Sequence, residues 1–215
     1  MTNQSSNETA ALRQAMAGEF LNLHELVAKA RANLNQNNWD YIVGGTETET
    51  TMLRNRLALD SIALRPRVLR DVGKIDASVE FLGRRLRLPI VLCPVGTLET
   101  FDPGGGATVV RAAHEFGVAH MLSSVCEPGL EAVAQAAPAA LRMFQLYVRG
   151  DQAWVDAHVE RAMAHAYAVF CLTVDTAIYS RRERDIAKRH MTTGRIRASG
   201  NEFQAALDWR TVEHI

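Results

Sequence analysis

Residues 168–183 read AVFCLTVDTAIYSRRE, and the rest of the sequence is best interpreted around this stretch. It begins as an apolar, β-branched run, and Thr173 and Asp175 come where that run ends. The basic pair Arg181 and Arg182 follows. A buried strand with polar side chains only at its carboxyl end is typical of sites in parallel α/β proteins. A core strand whose aspartate merely caps the next loop gives the same local pattern, so this stretch alone leaves both interpretations open.

A repeated alternation of predicted strands and helices leads up to this stretch. The earlier strands are predicted at IVLCPV (90–95), AHMLSS (119–124) and LRMFQLYV (141–148), and the helices at ATVVRAAHEFG (107–117), GLEAVAQAA (129–137) and DQAWVDAHVERAMAHA (151–166). Pro128 suits the start of the second helix, because proline is tolerated in a first turn. Four strand–helix steps, about 20 to 30 residues apart, indicate a parallel sheet with helical crossovers and polar residues at the strand carboxyl ends.

The fold class predicted from this pattern is α/β, with about the first four βα units of a TIM (β/α)8 barrel. A closed barrel usually needs about 250 residues. Here the pattern weakens in the polar stretch MTTGRIRASGNEFQAA (191–206), predicted as a loop, and a last helix begins at LDWRTVEHI (207–215). An open half-barrel exposes a parallel edge, so we expect the chain to continue elsewhere or to associate with a partner that covers the edge.

The sequence before the barrel predicts helices and a hairpin. Residues 1–74 are expected to form an arm and helices that pack on the barrel, and residues 75–215 its first half. Helices are predicted at LHELVAKARANL (23–34) with Asn22 as its cap, at NNWDYIVGG (37–45) and at ETETTMLRNRLALD (47–60), a hairpin at VEFLGRRLRLP (79–89), and some helical character around Ala10 to Met16 in a polar arm.

Composition narrows the class of protein. The 24 basic and 24 acidic residues cancel, so nothing marks a nucleic-acid or membrane-surface partner. Cys93, Cys126 and Cys171 lack metal-ligand spacing and form an odd, sparse set, which favours a reducing compartment. The polar N-terminus has no apolar core of a signal peptide, and no segment reaches the roughly 18 apolar residues that span a bilayer. We therefore expect a cytoplasmic protein without metal.

Six pieces of the sequence, in order, resemble the N-terminal portion of one enzyme family. They are WDYIVGG, TMLRNRLALDSIALRPRVLRDV, LPIVLCPVG, MLSS, FQLYV and LTVDTAIYSRRERD, spread from about Leu23 to Arg189. The family is that of the FMN-dependent α-hydroxy acid oxidases and dehydrogenases, of the glycolate oxidase, lactate oxidase and mandelate dehydrogenase type. The resemblance implies a TIM barrel that holds FMN at its carboxyl-end mouth and oxidises a small L-2-hydroxy acid to the 2-oxo acid.

The resemblance also implies which residues hold the cofactor. Pro94, Val95 and Gly96 match the loop after the first strand, whose backbone lies against the flavin. The side chains that match hydrogen-bonding partners of the flavin ring are Ser123, Gln145 and Thr173, and Tyr147 is included with them. A buried ring with several polar edge atoms needs donors and acceptors at set positions, because each unpaired atom costs desolvation free energy.

Substrate and catalytic residues follow from the same match. Tyr41 and Arg182 correspond to groups that bind the substrate carboxylate, and Tyr147 to a tyrosine near its α-hydroxyl. Asp175 corresponds to the aspartate that orients the catalytic histidine. Without the family match, Tyr41 would be an interface tyrosine and Tyr147 a strand-end aromatic. The neighbouring Arg181 is interpreted as a structural or solvated charge.

Several parts of the family's site do not occur in this sequence. The HGGR-like motif with the histidine base, the lysine after strand five and the late phosphate-binding loops are all absent. We therefore expect an N-terminal fragment of an oxidoreductase that is inactive alone, needs the missing barrel half and forms a homo-oligomer when complete. The alternatives are a non-catalytic truncated or half-barrel subunit that cannot bind FMN alone, and a different barrel enzyme with a phosphorylated substrate. The acceptor stays open between oxygen, a quinone and a cytochrome.

Two departures from the family lie near the implied flavin site. Val125 stands where several members have a bulky aromatic residue, which predicts a wider pocket. Gly96 stands where members differ between alanine and glycine. Because glycine lacks a methyl group, it could alter how oxygen reaches the flavin. The hypothesis is that the complete enzyme acts as an oxidase or a monooxygenase.

Overall fold

The computed structural model describes residues 20–191 and 200–215. The chain divides into two compact units, Met1–Val43 and Gly44–Ile215. The predicted arm and its helical character around Ala10 to Met16 lie outside the described residues.

The first unit contains helix α1 (Leu23–Asn33) and helix α2 (Gln36–Val43). The predicted cap of α1 is confirmed, because the Asn22 side chain accepts a hydrogen bond of 3.0 Å from the backbone N–H of Glu25. Helix α2 begins earlier than the predicted residues 37–45, because the Asn35 side chain accepts the backbone N–H of Asn38 at 2.9 Å and so caps the helix from one position before it.

The second unit begins with helix α3 (Thr50–Asp60) and continues through an exposed segment to the predicted hairpin. Strand β1 (Val79–Phe81) and strand β2 (Arg84–Leu86) pair antiparallel around the turn Leu82–Gly83, as expected. The hairpin is short, but it brings the buried side chain of Leu86 onto the main sheet.

The main sheet has four parallel strands in the order β3, β4, β5 and β6. They are β3 (Val91–Leu92), β4 (Ala119–Ser123), β5 (Arg142–Tyr147) and β6 (Val169–Thr173). The helices around them are a 3₁₀ turn at Leu98–Thr100, α4 (Gly105–Phe116), α5 (Leu130–Ala136), α6 (Gln152–Ala164), α7 (Glu183–Ala187), α8 (Asn201–Ala205) and α9 (Trp209–His214). Strand order that follows chain order, with helical crossovers, is the predicted half of a (β/α)8 barrel.

Other predicted elements also differ from the structure. Strand β3 is only two residues long, Val91–Leu92, and so is shorter than the predicted strand 90–95. Helix α5 begins at Leu130, so Pro128 precedes the helix instead of starting it. The predicted loop 191–206 contains helix α8, and its residues 192–199 lie outside the described part of the chain. Phe203 and Leu207 pack against the main core and hold this helix in place.

The two faces of the sheet bury different clusters because side chains alternate along each strand. The even-numbered Leu122, Phe144 and Leu146 face the helices, where Val110 and Val155 pack against them. The opposite face is covered at its amino end by the hairpin. There the cluster consists of Leu86, Ala119, Leu141 and Met143, with Phe81, Val91, Met121 and Val169 packed against it. The carboxyl end of this second face is therefore the place where polar side chains can meet.

Two basic residues lie side by side on the helix-facing side of the sheet. His120 and Arg142 are register partners on β4 and β5, and their exposed fractions are 1% and 4%. The Arg142 guanidinium donates to the backbone carbonyls of Ala137, Pro138, Ala140 and His165. It also lies 5.6 Å from the centre of the Tyr167 ring. Arg142 thus ties the turn before β5 to the end of α6.

None of the described helices combines the length and apolar character needed to cross a bilayer. Within the same residues, no three His, Cys, Asp or Glu side chains cluster as metal ligands would.

Candidate functional site

The carboxyl ends of β4, β5 and β6 bring three predicted flavin-contact residues together. Ser123 and Gln145 are register partners, and both are almost fully buried. The Gln145 side-chain amide donates a hydrogen bond of 2.5 Å from Nε2 to Thr173 Oγ1. Its other polar atom, Oε1, is buried and has no hydrogen-bond partner among residues 20–191 and 200–215. A buried acceptor without a partner is costly, so this atom indicates a ligand with a donor at this edge.

Tyr147 ends β5 directly opposite Thr173 in the register. Its backbone N–H donates to the Ser124 hydroxyl at 3.0 Å, and the Ser124 N–H donates to the Gln145 carbonyl at 2.8 Å. Ser124 thus joins the carboxyl ends of β4 and β5. The predicted cofactor and substrate residues begin at this point.

The loop that follows β3 lies beside the loop that follows β4. The backbone N–H of Thr97 donates to the Val125 carbonyl at 2.9 Å. Pro94 and Gly96 are half-buried in this loop, and Val95 is exposed. A Cβ atom added to Gly96 would lie 2.8 Å from Val125 Cγ2. The two departures from the family pattern are therefore in contact, and Val125 occupies the space next to residue 96.

We expect Gly96→Ala to destabilise the chain by about 1 to 3 kcal/mol, because the added methyl group overpacks against Val125. The double variant Gly96→Ala/Val125→Ala should recover most of that loss. Urea unfolding of the parent, both single variants and the double variant measures the coupling between the two sites. If the changes in the free energy of unfolding of the two single variants sum to the change in the double variant, the steric explanation is contradicted.

Arg182 precedes α7 and is half-buried, and its neighbours in the chain are held from two directions. The Arg181 carbonyl accepts hydrogen bonds from the Glu47 N–H at 2.6 Å and from the Thr46 hydroxyl at 3.2 Å. Arg184 binds both carboxylate oxygens of Glu49, at 2.6 and 2.7 Å. The hydrogen bonds from Arg184 and from the Gly45 N–H lower the pKa of Glu49. The turn before α3 therefore supports the backbone that carries Arg182.

Two other residues predicted for the site stay predictions. Asp175 lies two residues beyond β6 and is exposed. Tyr41 is a half-buried residue of α2 and belongs to the first compact unit. The predictions for these residues are therefore not tested by contacts within the site.

A separate pocket of about 410 Å³ opens between the loops that follow β4 and β5. Its walls include Val125, Glu127 and Arg149, and Arg161 on its border binds Glu131 through both carboxylate oxygens at 2.7 and 3.0 Å. Gln145 and Thr173 do not line it.

Two contributors to the site were missed from the sequence. Ser124 bonds β5, although the prediction took only Ser123 from that pair. Gln204 is 5% exposed and bonds the backbone at the ends of both β5 and β6. The apolar spacing of Phe203 and Leu207 was the signal that could have revealed a packed helix in the polar stretch.

Comparison with known proteins matches the chain to an enzyme family. Residues 30–213 match the family model described as FMN-dependent dehydrogenase. The chain is 39% identical over 172 residues to glycolate oxidase 1 of Oryza sativa subsp. indica, covering 80% of this chain and 46% of that protein. It is 36% identical over 168 residues to L-lactate oxidase of a Nostoc species, covering 77% and 46%. The chain thus spans about half the length of these curated relatives.

Solved structures give the same result for the fold. A mandelate oxidase crystal structure superposes with a TM-score of 0.79 at 30% identity, over 90% of this chain and 57% of that one. A mandelate oxidase variant with the C4a-OH-FMN adduct gives a TM-score of 0.74 at 30% identity, over 86% and 55%. The predicted half of a (β/α)8 barrel is confirmed by these neighbours.

Proposed function

We propose, on the premise that the chain belongs to the FMN-dependent dehydrogenase family, that it supplies the N-terminal half of an FMN site for oxidising a small L-2-hydroxy acid. The observation that carries this proposal is the buried Oε1 atom of Gln145 beside Thr173, which has no hydrogen-bond partner in the described part of the chain. The similarity to glycolate and lactate oxidases supports the substrate class.

The residues at the strand ends fit a flavin ring. The pyrimidine part of a flavin offers one N–H donor flanked by carbonyl acceptors, and the side chains present can match that alternation. Gln145 Oε1 is free to accept, and the hydroxyl groups of Ser123 and Thr173 can donate or accept. All three lie on one face of the sheet, because Ser123 pairs with Gln145 and Thr173 lies two residues beyond Cys171, the partner of Gln145 on β6.

Each implied residue then has a task that its chemistry allows. When bound, FMN supplies the acceptor for the hydride equivalent that leaves the α-carbon. Arg182 would hold the substrate carboxylate through its planar guanidinium, and Tyr41 would assist through its hydroxyl group. Tyr147 would orient the α-hydroxyl, and Asp175 would stabilise a protonated histidine by charge.

The histidine itself is assigned to the part of the protein outside this chain. His24, His114, His158, His165 and His214 lie on helices or just beyond them, His120 lies at the amino end of β4, and His190 follows α7. None of these seven positions is the carboxyl end of a strand. The second barrel half would also cover the open edges of β3 and β6 and the exposed apolar side chains of residues 62–75. A homo-oligomer of the complete enzyme is part of the same proposal.

The second candidate is a half-barrel that does not hold FMN. The open edges favour it for the isolated chain, because half of the ring's contacts would be missing. Spectra of the purified 215-residue chain and of the same chain in a completed barrel distinguish the two candidates. A yellow protein with stoichiometric FMN would defeat this second candidate. We expect the chain alone to be colourless and the barrel completed with the C-terminal half of a glycolate oxidase to be yellow and to oxidise glycolate or lactate.

In that completed barrel, we expect Gln145→Leu to weaken FMN binding about tenfold or more, since one buried hydrogen bond to the ring is lost. Quenching of FMN fluorescence during titration gives the dissociation constant. Gln152→Leu removes a similar, half-buried side chain at the start of α6, where it bonds Asp156, and should leave FMN affinity unchanged. A folded, completed barrel that binds FMN equally well in both variants would overturn the assignment of Gln145.

A further inference from the structure

The carboxyl ends of β5 and β6 are bridged by one side chain from the last part of the chain. Gln204 Oε1 accepts the backbone N–H of Val148 at 2.9 Å. Its Nε2 donates to the backbone carbonyl of Thr173 at 2.5 Å. Val148 directly follows β5 and Thr173 ends β6, so one amide group spans the two strands where their own ladder ends.

This bridge is built into the fold and is not a surface contact. Gln204 is 5% exposed, and both of its amide ends are satisfied by main-chain groups. Its helix is held by Phe203 and Leu207 against the main core. At the other end, a Cβ atom added to Gly200 would lie 2.5 Å from the Arg149 carbonyl oxygen, so the backbone before α8 approaches the end of β5 closely.

The bridge joins the ends of β5 and β6, and the site depends on the distance between these two strand ends. Beyond the regular pairing of Tyr147 with Thr173, the strands diverge into separate loops. The hydrogen bond between Gln145 Nε2 and Thr173 Oγ1 requires their two strand ends to stay at ladder spacing. Only a side chain with both a donor and an acceptor can bond a backbone N–H and a backbone carbonyl together, and the glutamine amide is such a group.

We propose that Gln204 is a positioning residue that holds β5 and β6 together at their carboxyl ends and so keeps Gln145 and Thr173 hydrogen-bonded. The inference deepens the proposed function, on which it rests for the meaning of that edge as the flavin edge. Gln204 does not contact the ring; it acts through the two strands.

The test uses amide exchange in the 215-residue chain, followed by NMR. In Gln204→Met, which keeps the volume and removes both bonds, we expect the Val148 backbone amide and the Gln145 side-chain amide to exchange about tenfold faster than in the parent. Gln204→Glu keeps an acceptor for Val148 but loses the donor to Thr173. It should therefore protect Val148 as the parent does, while the Gln145 amide still exchanges about tenfold faster.

The control is Gln152→Met at the start of α6, which should change neither rate. Unchanged Gln145 exchange in Gln204→Met would overturn the proposal, because Gln204 would then only cap Val148. A uniform acceleration that includes the β4 amides would also overturn it, since that pattern means general loss of stability. FMN titration of the same variants in the completed barrel is a separate readout. Failure of the completed barrel with the parent sequence to bind FMN counts against the proposed function and leaves the exchange result standing.

Discussion

Replacing Arg142 by methionine should destabilise the chain by about 3 to 5 kcal/mol, the largest effect we expect from a single substitution. The side chain is 4% exposed and donates to four backbone carbonyls, which methionine would leave without these donors. A domain of this size is stable by only about 5 to 15 kcal/mol, so the variant should be partly unfolded at 37 °C. Urea unfolding followed by far-UV circular dichroism measures the loss.

The chain offers a matched control for this variant in the same region. Arg84 also donates to a backbone carbonyl of that turn, Ala139, at 2.8 Å, but it is exposed. Arg84→Met should cost no more than about 1 kcal/mol, since water replaces the lost donor. Arg142→Lys restores a charge but only part of the donor set, and it should fall between the two. Equal losses in Arg142→Met and Arg84→Met would show that the buried network contributes nothing.

Acid should destabilise the chain through His120. Burial lowers the pKa of His120 to about 4, and neither ring nitrogen has a hydrogen-bond partner in the described part of the chain. The unfolded chain takes up this proton near pH 6.5, whereas the folded chain resists it until about pH 4. Stability is therefore full above pH 6.5 and is lost as the pH falls toward 4, by about 3 kcal/mol in all.

Unfolding curves at several pH values between 4 and 7 test this expectation. His120→Phe should remove most of the slope in that window, because phenylalanine fills a similar space and binds no proton. The exposed His114 on α4 supplies the control, and His114→Gln should retain the slope of the parent. Loss of stability at still lower pH should persist in both variants. Hydrogen bonds from arginine lower the pKa of Glu131 and Asp208, so the stability that these carboxylates contribute is lost as the pH falls below the ordinary carboxyl range. An equal slope in the parent and in His120→Phe would rule out His120 as the source.

The local patterns that gave correct predictions are those that depend on a single element. Asn22 caps α1, and the hairpin turns at Gly83, because capping and turn preferences act over a few residues. The order of strands and helices from 90 to 173 followed from apolar periodicity and connection lengths. An error arose where a neighbour distant in sequence decides the outcome, as at α8, whose Phe203 packs on the core.

The candidate site also contains residues that the sequence predicted and contacts that it did not. Sequence resemblance predicted Ser123, Gln145 and Thr173, and the register of the parallel strands brings all three to one edge. The resemblance gave no indication that Gly96 and Val125 touch, or that Glu49 binds Arg184 across 135 positions of the chain. Such contacts depend on how loops pack, and loop packing leaves no periodic trace in the sequence.

The sequence by itself determined the family, the half-barrel and the residue types at the strand ends. Short motifs and the period of the apolar residues were sufficient to predict each of them. Only the tertiary structure decided which polar atoms of those residues have hydrogen-bond partners. Gln145 has one buried oxygen without a partner among the residues that the structure describes, and the Gln204 amide forms hydrogen bonds to the backbone at the ends of two strands. The physical reason is that hydrogen-bond satisfaction is a property of neighbours in space, which a strand pattern alone does not specify.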